Sequence, residues 1–235
     1  MKKERIKYGL ISFFYIKDQK HLEDILDRID GKVLIDSGAH TIQHTKDTKA
    51  LTEYVDRYIE FIKKNTSNPK IEGFFEMDID NVIGVEEVKK IRKKLEEVSD
   101  KIIPVWHVFR GVQDYIDTCK EYSGRKISIT GFAHDVHDSQ LNLFINTAHK
   151  YGCKIHILGM TRYEIIKMLN LNKEDSVDSS SWKQTGIYGR IQFLLPDGGS
   201  FIFSSLAGLK SISYKTYTMI NWIFAKEMQE YWLNT

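Results

Sequence analysis

Only two cysteines, Cys119 and Cys153, occur in 235 residues. Two cannot build a cysteine-rich zinc site, and in a reducing compartment they are expected to stay unpaired, packed in a helix and a strand. Proline is nearly as scarce, with three in the whole chain. With no Ser/Gly-rich or low-complexity stretch either, nothing marks a linker, and residues 1–235 read as a single domain. No apolar run approaches the roughly 20 residues a spanning helix needs. The opening MKKERIKYGL is basic but has no signal-peptide core behind it. These absences predict a cytoplasmic protein with no membrane partner. Charge of one sign is also missing: 34 basic and 32 acidic side chains leave a net charge near +2. No strong global field therefore draws the chain onto nucleic acid, although a local basic patch stays compatible with it.

What is present is a repeating unit in which short apolar runs alternate with amphipathic helical stretches, the pattern of βαβ units and a parallel sheet. The run IKYGLISFFYI (6–16) precedes a helix at HLEDILDRI, and KVLIDSG (32–38) precedes TKALTEYVDRYIEFIKKN. EGFFEMDID is followed by VEEVKKIRKKLEEV, KIIPVWHVF by VQDYIDTCKEY, KISITGFAH by DSQLNLFINTAHKYG, and KIHILGMT by RYEIIKMLNL. A seventh strand is assigned at DSVDSSSW, partly from its place in the series. Beyond Trp182 the rhythm changes. RIQFLLPDGGSFIFSS predicts two strands around a Pro-Asp-Gly-Gly turn, and YKTYTMINWIFAKEMQEYW predicts a last helix. The expected fold is α/β: a TIM-type (β/α)8 barrel with a C-terminal hairpin and helix, its closing strand unassigned. The rival doubly wound sheet often has a glycine-rich phosphate loop after its first strand, and FFYIKDQK has none.

In such folds the strand interiors are apolar and chemistry collects where the strands end. Here the runs end in Asp36-Ser37-Gly38, Asp78 and Asp80, His107, Gly131 followed by His134, Gly159-Met160-Thr161, and Asp178-Ser179-Ser180. Asp36 alone reads as a turn or cap residue, and Asp178 shares that ambiguity. Four carboxylates at one rim would instead raise one another's pKa values and divide into acid, base and nucleophile. Such a set can exchange a glycosidic bond through a covalent sugar intermediate.

His107, His134, His137 and His156 raise a second reading, a metal-dependent barrel hydrolase. There is no His-x-His on the first strand, where Phe13, Phe14 and Tyr15 stand, and His107 and His156 singly read as hydrogen-bonded pocket or core residues. The lysines of KKIRKKLEEV read as the solvated face of a helix. Trp222, Tyr231 and Trp232 read as packing or dimer-contact residues of the last helix.

Taken in order, LIDSGAH, FFEMDID, PVWHVF, ITGFAH, HILGMT and SVDSSSW resemble the tRNA-guanine transglycosylase superfamily, nearest to its small phage-type, DpdA-like members that place 7-deazaguanine bases in DNA. The similarity covers roughly residues 32–182. It implies a pentosyltransferase that replaces guanine in a polynucleotide, DNA first and tRNA second, with a free 7-deazaguanine and no cofactor. The compartment would be the host cytoplasm for a phage protein, and a homodimer or partner protein stays open. By resemblance Asp36 is the general acid/base and Asp178 the nucleophile. Asp78 and Asp80 would read the Watson-Crick edge of the base, Gly131 would approach it with its backbone, and Gly159 and Met160 would form the pocket's apolar wall. Ser37, Gly38, His107 and His156 complete the substrate-binding set. The tRNA enzymes' Cys-rich zinc site and helical insertion have no counterpart here, so no metal is expected. Thr130-Gly131-Phe132 also stands where the phage-type motif often has two glycines. A barrel that binds a nucleobase or nucleic acid without turnover is the third reading.

Overall fold

The apolar runs become short strands, and their helical partners pack by one face. A computed structural model describes residues 6–42, 48–131, 136–160, 162–195, 200–204 and 214–234. His134, Thr161 and the Pro-Asp-Gly-Gly turn at 196–199 lie outside them. Two units form, residues 1–129 with 150–154, and residues 130–149 with 155–235.

In the first unit β1 (Gly9–Ser12) is followed by a 3-10 turn, Phe13–Tyr15, and by α1 (Gln19–Leu26), whose N-cap Asp18 accepts the His21 N–H. Next come β2 (Val33–Asp36), the short α2 (Ala39–Ile42) and α3 (Thr48–Asn65). On α3 the residues Leu51, Tyr54, Val55, Tyr58 and Ile62, spaced three and four apart, are all buried. Each such side chain contributes about 1.5–3 kcal/mol by leaving water. Then follow β3 (Ile71–Phe75), α4 (Asp80–Ile83) and α5 (Val85–Glu96).

The expected strand KIIPVWHVF is two strands, β4 (Ile102–Ile103) and β5 (Val105–Trp106). Pro104 between them has no N–H to give a ladder, so pairing stops and restarts there. α6 (Val112–Glu121) and β6 (Lys126–Thr130) complete this part. β1, β2, β3 and β4 pair in that order, all parallel, and β5 pairs parallel with β6. The register Ser12↔Asp36 and Phe74↔Ile102 brings the C-terminal ends of β1–β4 to one edge. Cys119 and Cys153 are free and buried, the Cys153 thiol donating to the carbonyls of Cys119 and Tyr122.

The second unit holds α7 (Asp138–Lys150), β7 (Lys154–Leu158), α8 (Tyr163–Ile166), β8 (Ser176–Val177), α9 (Ser181–Ile187), the strands β9 (Arg190–Leu194) and β10 (Ser200–Ser204), and α10 (Tyr214–Asn234). β7 and β8 pair parallel, and β9 and β10 pair antiparallel with Leu194 opposite Ser200, as the hairpin spacing predicts. The seventh strand shrinks to two residues because Asp175 and Asp178, on either side of it, turn their carboxylates to backbone N–H groups of Ile155 and Gly159. The expected helix RYEIIKMLNL stops at Ile166, and the side chain of Asn142 takes over, bonding the Met168 carbonyl and the Asn170 N–H. On α10 Tyr217, Asn221 and Phe224 are buried while Met219 and Ile223 are exposed.

The described elements make a mixed α/β fold with parallel sheets. Among the described residues no helix is long and apolar enough to cross a membrane.

Candidate functional site

Each unit carries a polar centre where its parallel strands end. In the first, Asp36 is the last residue of β2, half-buried, and its Oδ2 accepts the Gly38 N–H at 3.1 Å. Ser37 is fully buried, and its carbonyl accepts the Tyr54 hydroxyl at 2.7 Å. Gly38 has φ +76, and a Cβ there would meet the Tyr54 hydroxyl at 2.6 Å and Phe14 Cβ at 2.7 Å. Both the left-handed backbone and the space demand glycine. Burial, then the Asp36 charge, push the Tyr54 and Tyr58 hydroxyls well above the usual tyrosine range, so both stay protonated. Tyr58 donates to the Phe75 carbonyl at 2.8 Å.

Beyond β3, Asp78 is half-buried, and its Oδ1 lies 2.5 Å from His107 Nε2. Burial pushes the His107 imidazole down, but the hydrogen bond and charge of Asp78 push it further up, so the net shift is upward. The ring of Phe109, 56% exposed, stacks on His107 at 5.3 Å and 11°.

Asp80 opens α4 and is buried. Both its oxygens are taken by Arg110, at 2.7 Å to Oδ1 and 2.6 Å to Oδ2. The Arg110 guanidinium is 1% exposed and also reaches Glu76 at 3.4 Å. Glu76, fully buried, accepts the Val105 N–H at 2.7 Å and faces Arg92 at 3.7 Å. Burial raises its carboxyl to about 7 against the pull of the two arginines. Among the described residues Glu76 Oε2 and one nitrogen of Arg92 have no hydrogen-bond partner.

Donor atoms of Asp78, Asp80 and His107 come within 4.8 Å of one another, the one grouping among the described residues with the spacing of a metal site. Arg110 already supplies the cation there. A divalent ion would have to share Asp80 with a buried guanidinium, which mutual repulsion opposes.

In the second unit Gly131 directly follows β6, and a Cβ on it would meet Met160 Cβ at 2.8 Å and the Leu158 carbonyl at 2.9 Å. Its N–H donates to Leu158 at 2.6 Å and its carbonyl accepts from Arg162 at 2.9 Å, while Arg162 also pairs with Asp138. Met160 is fully buried beside it.

Asp178 follows β8 with its side chain 24% exposed, and its Oδ1 receives two contacts, from the Gly159 N–H at 3.0 Å and from His156 Nε2 at 3.2 Å. Among the described residues nothing holds Oδ2. The other ring nitrogen of His156 lies 2.8 Å from Ser176 Oγ.

Thus Asp78, Asp80 and His107 converge in one unit, and Gly131, His156, Gly159, Met160 and Asp178 gather in the other. Arg110, Glu76, Arg92, Arg162 and Ser176 join these centres without having been singled out in the sequence. The signal for Glu76 lay in FFEMDID, where a carboxylate follows directly on a buried apolar run. Neither a protein-family model nor a curated protein matches this chain.

Proposed function

We propose that this chain is a base-exchange transglycosylase, a pentosyltransferase that replaces guanine in a polynucleotide with a 7-deazaguanine in the cytoplasm. The observation that carries the reading is the state of Asp178: a partly exposed carboxylate at a strand end, pinned through one oxygen by an N–H and an imidazole, with the other oxygen open. That is how a carboxylate nucleophile should be held. Oδ2 would form a bond to C1′ as the C1′–N9 bond breaks, its electron pair leaving with the guanine, which gains a proton. The incoming base then attacks C1′ through N9, loses its proton and expels Asp178. Two displacements at one carbon retain configuration.

The resemblance adds Asp36 as the proton-transfer group and DNA as the preferred polymer. Asp78, with Oδ1 held by His107, would accept from donor groups on the Watson-Crick edge. The finer fold belongs to the same proposal: a (β/α)8-type barrel, supported by strand–helix alternation from β1 to β8 and by parallel pairing at every described register in that stretch.

Isotopically labelled guanine incubated with DNA or tRNA and the protein tests the reading. Label should enter the polymer, and the Asp178→Asn variant should lose at least about a thousandfold in exchange together with any trapped covalent adduct. Retained exchange in that variant removes Asp178 from the nucleophile role. Tight binding of nucleobase or polymer with no incorporation leaves a binding protein instead.

A further inference from the structure

Parallel pairing of β7 with β8 sets His156 directly opposite Ser176. The two-residue period of a strand returns Asp178 to the same side as Ser176. One imidazole therefore reaches two side chains of the neighbouring strand: Nδ1 to Ser176 Oγ at 2.8 Å and Nε2 to Asp178 Oδ1 at 3.2 Å. The imidazole is 2% exposed, too enclosed to line an open base pocket.

We propose that His156 is a positioning residue for Asp178, that the Asp178 carboxylate selects the ring tautomer this requires, and that Ser176 completes the ring's hydrogen bonding. The inference rests on Asp178 being the nucleophile. A neutral imidazole has one N–H. With the proton on Nε2 it donates to the carboxylate, and Nδ1 accepts the Ser176 hydroxyl. The other tautomer would set the Nε2 lone pair against Oδ1, two acceptors face to face. The serine hydroxyl can rotate to serve either nitrogen state, so the carboxylate decides the tautomer and Ser176 completes it.

Gly159 gives the second donor, its φ of +72 turning the chain so that its N–H meets the same oxygen. With Oδ1 fixed twice, rotation of the carboxylate about Cβ–Cγ is blocked and Oδ2 keeps one direction. In the covalent intermediate Oδ1 is the ester carbonyl oxygen. When the incoming base breaks the Oδ2–C1′ bond, negative charge returns to the carboxylate, where the two donors already stand. Such preorganised donors act on turnover more than on binding.

The test combines kinetics with a measurement that needs no turnover. His156→Leu should lower kcat for exchange by about 100-fold with KM changed by less than about threefold. His156→Gln, whose amide N–H can stand in for Nε2–H, should recover about tenfold of that loss. In the intact protein, 15N spectra of the His156 ring should show the Nε2–H tautomer, with Nδ1–H appearing in Asp178→Ala. An Nδ1–H ring in the unsubstituted protein overturns the proposal, as does a His156→Leu variant with unchanged kcat. A protein that exchanges no base on DNA or tRNA sinks the transglycosylase reading instead, and the ring tautomer then decides the His156–Asp178 link by itself.

Discussion

The two units treat their carboxylates in opposite ways. In the first, Asp80 and Glu76 are buried and answered by full positive charges, with Arg110 covering both oxygens of Asp80 and Arg92 standing beside Glu76. In the second, Asp178 keeps contact with solvent and is held through one oxygen by an N–H and an imidazole. A guanidinium on both oxygens occupies the lone pairs a nucleophile needs, and its own burial makes it costly to move. A carboxylate held through one oxygen keeps one reactive edge. Asp80 is therefore held as part of the scaffold that shapes the end of β3, while Asp178 keeps the open edge that the proposed exchange would use.

The sharpest way to break this contrast is to remove the cation. Arg110→Met should destabilise the fold by about 3–5 kcal/mol, because Asp80 would stay buried without its cation. Asp178→Asn, at a partly exposed site, should cost under about 1 kcal/mol. Urea denaturation of the two variants checks the pair. Equal costs would erase the distinction between scaffold and site.

A smaller effect should appear in the pH dependence. Glu76 has a folded value raised to about 7 from an ordinary 4.5, so the folded protein holds a proton that the unfolded chain has already lost. Stability from this group is complete below about pH 4.5 and is lost as pH rises through about 7, by at most about 3 kcal/mol. Glu76→Gln should flatten that slope in denaturation curves between pH 4.5 and 8, whatever it does to the absolute level. An unchanged slope would mean the arginines, not burial, set the charge state of Glu76.

These centres were legible in the sequence to different degrees, for physical reasons. The span of α3 follows from its three-and-four spacing, and the hairpin from its turn residues. Asp36 stands out because a run of apolar strand residues stops at it, whereas Asp178 follows the single apolar Val177 and is placed by its position in the strand–helix series. The break at Pro104 was written in the missing N–H, yet KIIPVWHVF still reads as one strand by hydrophobicity alone. Arg110 was hidden: it meets Asp80 across 30 positions of sequence, and an arginine after Val108 and Phe109 looks like any surface cation until the fold closes around it. His156 reads from the sequence as a hydrogen-bonded pocket or core residue, which its burial and its two ring contacts fit, but its bond to Asp178 was not legible. Ile155, His156 and Ile157 are all buried, because both faces of β7 are covered and the alternation carries no inside-outside signal.

The gentlest probe concerns Asp78, which lies between the two extremes: one oxygen bonded to His107 and the other, among the described residues, without a partner, like Asp178, but with a partner that titrates. Because Asp78 raises the imidazole, the pair's contribution to stability is complete below the ordinary histidine value near 6.5 and fades as pH rises through the higher folded value. Asp78→Asn should move the His107 titration downward in NMR and cost about 1 kcal/mol at pH 6, with little cost at pH 9, where the unsubstituted ring has also lost its charge. A His107 titration that ignores the substitution would mean that the short contact holds the ring in place without sharing its charge. Asp78 would then group with Asp80 as scaffold, outside the proposed base recognition.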